Sequence, residues 1–123
     1  MVGRSDIQNH RDLVVWQKSM DLAVSAYRVT ESFPTQERYG MTSQIRRSSA
    51  SVPANIAEGY GRVSPGAYAQ QLRVSQGSLK ELETHVELAN RVGLLSDDAI
   101  RPILGLAEEV GKMLRSLIRS VER

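Results

Sequence analysis

From Leu13 onward the chain places apolar and polar residues with the period of a helix. Leu13, Trp16, Met20, Ala23, Tyr27 and Thr30 recur at alternating spacings of three and four, which predicts one long helix over residues 12–32. Val15, Leu22, Ala26, Val29 and Phe33 form a second series, centred about 120° further round the same wheel. Gln17, Lys18, Asp21, Ser25 and Arg28 share the polar arc that is left. The two apolar stripes cover more than half the circumference, whereas a bundle helix needs only one broad stripe facing its core. At roughly 1.5–3 kcal/mol per large apolar side chain taken from water, an uncovered second stripe forgoes several kcal/mol. Val15, Leu22, Ala26, Val29 and Phe33 are therefore the expected contact with a second copy of the chain, the alternative being cover by its own N-terminal arm.

The remaining pattern is helical too. Pro34 disfavours helix at Phe33, and Thr35 is placed to cap a second helix from about residue 36 to residue 57 or beyond. Along it Met41, Ile45, Val52 and Ile56 are separated by Ser48, Ser49, Ala50 and Ser51, small residues that let a neighbouring helix come close. Pro53 removes a backbone donor and crowds the carbonyl four residues earlier, which predicts a bend near residues 49–52. Gly59 and Gly61 end this helix. Ser64 and Pro65 open a third, which carries Tyr68, Leu72, Ser75, Leu79, Leu82, Val86 and Ala89 on one face and stops at Gly93. Ser96 with Asp97 and Asp98 caps a fourth, whose seam is Ile100, Ile103, Ala107, Val110, Leu114, Leu117 and Val121; Pro102 predicts an irregular start. The expected fold is all-α, an antiparallel up-down-up-down four-helix bundle spanning residues 11–123 as one domain, with residues 1–10 a flexible N-terminal arm.

Composition narrows the chemistry. The chain has 123 residues and no cysteine, so it offers neither a disulfide framework nor a thiolate nucleophile or metal ligand. No run approaches the ~18 apolar residues of a membrane span, and the first twelve residues lack the apolar core of a signal peptide, so a soluble, cytoplasmic protein is expected. Net charge is only +2, carried by thirteen arginines and three lysines against 14 acidic residues. Arginine suits phosphate and carboxylate forks. Aromatic residues are too few for a stacking platform on single-stranded nucleic acid.

Catalytic candidates fail on their neighbours. Glu81 and His85, one turn apart, with Glu58 from the second helix, form a carboxylate–histidine set. A di-metal bundle, however, needs Glu-x-x-His on two helices, and the second, third and fourth helices hold one histidine between them. Ser43, Ser48, Ser49 and Ser51 have no histidine or lysine on their helix to activate them. Gly59-x-Gly61 follows a helix instead of linking a strand to one, so it lacks the context of a nucleotide loop. Catalysis, cofactor and metal are therefore not expected. Two basic features remain. Lys112, Arg115, Arg119 and Arg123 lie within about 80° of one another on the fourth helix, a stripe that could track a phosphate backbone or be a solvated face knitted by Glu108. Arg46 and Arg47 point about 100° apart, so one faces a packed surface, where Glu58, Glu81 or Glu83 would supply its ion pair.

Three segments in order, V-W-Q-K-S-M-D-L-A, Y-G-M-T-S-Q-I-R-R-S-S-A-S-V-P-A-N-I-A-E-G-Y-G-R and Q-G-S-L-K-E-L-E-T-H, resemble the four-helix-bundle family encoded within intervening sequences of bacterial 23S ribosomal RNA genes, together with a related accessory protein of diversity-generating retroelements. The resemblance runs from about Leu13 to Ile118. It implies a bacterial, non-catalytic four-helix bundle assembled as a homopentamer. For the retroelement relatives it implies RNA or DNA binding and a reverse transcriptase partner. The expected function is a homo-oligomeric scaffold or adaptor, the alternative a nucleic-acid-binding accessory protein.

Overall fold

A computed structural model describes residues 7–123. Four helices follow one another, α1 (Val14–Thr30), α2 (Met41–Tyr60), α3 (Pro65–Arg91) and α4 (Asp97–Glu122), with short 3-10 turns at His10–Asp12 and Thr35–Glu37 and no strand among the described residues. Each helix packs on the next, and α4 closes the ring against α1. Four residues join α2 to α3 and five join α3 to α4, too few to run back along helices of 30 Å or more at roughly 3.5 Å per residue, so neighbouring helices are antiparallel. The core joins the expected seams of α2, α3 and α4, among them Ile45, Ile56, Leu72, Leu79, Leu82, Ile103 and Leu114, to Leu22 of α1, all but fully buried.

Capping decides the helix ends. The Ser64 hydroxyl accepts from Ala67 N at 3.1 Å and the Ser96 hydroxyl from Ala99 N at 3.1 Å, as their positions predict. Gly93 takes φ +86°, the left-handed conformation that stops α3 at little cost only for glycine. At α2 the expectation fails. The helix begins at Met41, because Gly40 (φ −104°, ψ −111°) interrupts the helical path, and residues 35–37 form a separate turn. Thr35 makes no capping bond; Glu37 does that work, its Oε1 accepting from Met41 N at 3.2 Å. Pro102 does not disturb α4, which is regular from Asp97, and α2 runs unbroken through Pro53.

The N-terminal expectation also changes. Residues 1–6 lie outside the described residues, but residues 7–10 join the fold. Asn9 and Asp12 form a reciprocal capping box, Ile7 packs against the core, and His10 meets Trp16 edge-on with ring centroids 5.1 Å apart.

The small residues of α2 do admit a neighbour, and it is α3. Ser75 Oγ donates to the Val52 carbonyl at 2.8 Å in the buried interior, the hydroxyls of Ser51 and Ser78 share a bond of 2.7 Å, and Gln71 Nε2 donates to Asn55 Oδ1. These bonds tie the register of α2 and α3, and the one at Ser75 satisfies a hydroxyl that would otherwise be buried without a partner.

Candidate functional site

The second stripe of α1 turns inward, while of the first stripe Leu13, Ala23 and Thr30 are buried and Met20 and Tyr27 are exposed. Leu22 and Ala26 are completely buried, Val15 and Phe33 nearly so, and Val29 packs half-buried against the same core. Side chains already covered by their own chain leave no surface for a second copy, so these five are core residues. The exposed apolar surface lies next to them: Met20 is 38%, Val24 44% and Tyr27 45% exposed. The reason is the α1–α2 crossing. Helix α2 presents Ala50, Ala54 and Ala57 to this side of α1, and alanines are too short to cover it. What results is an open apolar groove of about 670 Å³ floored by these alanines and flanked by Trp16 and Tyr27. The sequence signal was present in the small residues at 50, 54 and 57, three and four apart, but it does not say which side of α1 they meet.

Arg46 and Arg47 do not find the carboxylates expected of them. Arg46 Nε donates to Thr30 Oγ1 at 2.8 Å and Nη2 to the Tyr27 carbonyl at 3.3 Å, while its guanidinium stacks 4.8 Å from the Tyr27 ring centroid. Its partners are all neutral. Arg47 is exposed and has no acidic partner among the described residues. The acids are engaged elsewhere or unpaired: Glu58 pairs with Arg62 at 2.6 Å, Glu83 with Lys80 at 3.3 Å, and Glu81 is exposed with no ion pair among the described residues. His85 is half-buried on α3, and among the described residues no group of three histidines and acids is placed to hold a metal ion.

The basic stripe is exposed along α4, but part of it is neutralised. Lys112 meets Glu108 at 3.4 Å, the solvated pairing that the sequence also allowed. Arg115, Arg119 and Arg123 have no acidic partner among the described residues. On the facing side of α3, Arg73 is held by Glu122 at 2.6 Å. No helix among the described residues is long and apolar enough to cross a membrane.

The sequence profile of the 23S rRNA-intervening sequence protein family matches residues 11–116. The chain belongs to this family. Its fold is also that of a solved structure from Bacteroides thetaiotaomicron, described as a protein of unknown function from the S23 ribosomal protein family. That structure is 28% identical, matched over 85% of this chain and 97% of its own, with a TM-score of 0.76. A search of curated proteins finds no match. Neither the family's description nor the neighbour's names an enzyme activity. The 23S rRNA-intervening sequence family match contains all of the α1–α2 groove except His10, together with Arg46 and Arg47, and it stops short of Arg119 and Arg123.

At one end of the bundle Tyr60 of α2 and Tyr68 of α3 meet edge-on, 6.1 Å between centroids. Burial pushes the Tyr68 phenol up from 10.0 to about 12, and the adjacent Tyr60 adds to it. An unfolded chain releases this proton near pH 10, so the stability linked to Tyr68 is fully present below that pH and is lost as pH rises from 10 to about 12. The difference between the alkaline phenolate titrations of wild type and Tyr68→Phe is expected to show a step near 12, and the variant's thermal midpoint is expected to fall less over that range. A difference step near 10 would contradict the assignment.

Proposed function

We propose that the protein is a non-catalytic scaffold or adaptor of the cytoplasm that acts as a homo-oligomer, five copies being the number that its resemblance implies. The observation that supports this reading is the exposed apolar band of Met20, Val24 and Tyr27 over the alanine floor of α2. A groove of that kind on a lone soluble chain is an uncovered cost, and a neighbouring copy removes it. Mass photometry across nanomolar to micromolar concentration tests the reading against the 13.7 kDa chain. Assemblies of about five chains are expected, and a monomer throughout would refute it.

A second reading, RNA or DNA binding, draws on Arg115, Arg119 and Arg123, whose charges have no acidic partner among the described residues. Assembly would repeat this stripe around a ring and strengthen a field that one copy, at net +2, supplies weakly. Binding to mixed RNA and duplex DNA across a salt series separates the readings. Phosphate contacts impose a steep loss of affinity with salt, and no binding at low salt removes the second reading.

A further inference from the structure

Arg46, Arg47, Ser48 and Ser51 of the R-R-S-S-A-S run that marks the second helix line a polar cleft of about 500 Å³ between α2 and α3, which shares Tyr27 and Ala50 with the edge of the apolar groove. Its floor and walls bring together Arg46, Arg47, Gln44 and Ser51 of α2 with Ser78 and Glu81 of α3. Tyr27 of α1 closes one side.

The chemistry of this cleft is an excess of donors over acceptors. A guanidinium carries five N–H groups, and Arg46 spends two, on Thr30 Oγ1 and the Tyr27 carbonyl. Among the described residues the other three have no protein acceptor. The hydroxyl, the carbonyl and the aromatic face fix the Arg46 head in place and leave its charge uncompensated. Arg47 adds a second guanidinium with no acid partner among the described residues. The hydroxyls of Ser51 and Ser78 share one hydrogen bond, so whichever of them donates, the other retains a free proton. Ser51 Oγ also accepts from Asn55 Nδ2 at 2.9 Å, which holds the pair in position. Glu81 is the one acidic side chain lining the cleft, so two guanidinium charges against one carboxylate leave a single net positive charge.

We propose that this cleft binds a tetrahedral oxyanion of the phosphate class. A fixed guanidinium beside a second, solvent-exposed one is an arrangement that can grip phosphate through several charge-assisted bonds. A carboxylate has only two oxygens to offer. The surplus of N–H and O–H donors therefore favours a group with three or four oxygens, either free phosphate or the phosphoryl group of a larger molecule. One chain supplies the whole lining from α2, α3 and Tyr27, so the site needs no residue of a second copy, although Tyr27 also borders the apolar groove.

The test is a titration of the full chain, at constant ionic strength, with inorganic phosphate, glycerol 3-phosphate and acetate, followed by the amide and arginine side-chain NMR signals. Saturable shifts at Arg46, Arg47 and Ser78 are expected with phosphate or glycerol phosphate, the tighter of the two identifying the source. Arg47→Gln, an exposed position, is expected to weaken binding about tenfold with unchanged thermal midpoint. Glu81→Gln is expected to tighten it severalfold by removing the opposing charge. Lys112→Gln on α4 is expected to change nothing. Shifts that never saturate, acetate binding as tightly as phosphate, or an Arg47→Gln variant with wild-type affinity would each overturn the proposal.

Discussion

Val24→Asp is expected to break the assembly into single chains without unfolding them. Val24 stands on the outer side of α1, 44% exposed in the isolated chain, so an aspartate there is hydrated in the monomer and costs the fold little. In the proposed assembly, apposition of a second copy takes that position out of water. There the substitution loses the burial of the valine side chain and must also strip a carboxylate of its hydration, a penalty of several kcal/mol for an unpaired charge. Each contact between copies is then weakened by at least about two orders of magnitude, at 1.4 kcal/mol per tenfold. A closed ring repeats the penalty at every interface. Mass photometry of the variant is expected to find the 13.7 kDa chain alone, with the helical circular dichroism of the wild type. Leu22→Asp makes the contrast. Leu22 has no exposure and belongs to the chain's own core, so the same change there is expected to abolish folding. If Val24→Asp assembles normally, the α1–α2 groove is not the contact surface.

That pair of variants also isolates what periodicity can and cannot say. The spacing of apolar residues placed all four helices and most of the buried heptad positions, because a 3.6-residue period is a property of one helix. It showed that α1 carries two stripes. Which of them faces inward depends on where α2 and α4 sit, and that is set by contacts across the bundle. Leu13, Trp16, Met20 and Tyr27 have the better heptad spacing, yet Met20 and Tyr27 are exposed, since the helix meeting them offers only Ala50, Ala54 and Ala57. The stripe through Leu22 and Ala26 meets Ile45, Val52 and the residues of α4, and is buried.

The arginines show a different limit. A partly buried guanidinium needs compensation, and sequence logic assigned it a carboxylate because charge is what composition makes visible. Arg46 is held by a threonine hydroxyl, a backbone carbonyl and a tyrosine face, none of which announces itself in a charge pattern. Glu58 and Glu83, the expected partners, are taken by Arg62 and Lys80 within their own helical neighbourhoods, where i to i+3 and i to i+4 spacing brings the charges together without tertiary constraint.

Two helical glycines are expected to respond in opposite directions when replaced. Gly59 reads as punctuation at the end of α2, but a methyl group added there would lie 3.0 Å from Gln71 Cβ and 3.1 Å from Tyr68 Cδ1. Both atoms belong to α3, and Gln71 Cβ sits at the root of its side chain, where it cannot swing aside. The glycine lets α2 and α3 approach closely beside the Asn55–Gln71 bond. Gly59→Val adds two further methyl groups into this contact and is expected to cost about 3 kcal/mol, within the range of overpacked sites. For a chain of this length that lowers the thermal midpoint by roughly 10 °C. Gly77, in the middle of α3, has nothing within 4 Å of where its Cβ would stand. Replacing it with alanine removes unfolded-state freedom and adds helix propensity, so Gly77→Ala is expected to stabilise by about 0.5–1 kcal/mol. Chemical denaturation measures both. Loss of stability in Gly77→Ala would mean that its exposed face is occupied in the assembled protein, and an unchanged Gly59→Val would mean that α2 and α3 are not held as closely as the Ser51–Ser78 and Ser75–Val52 bonds require.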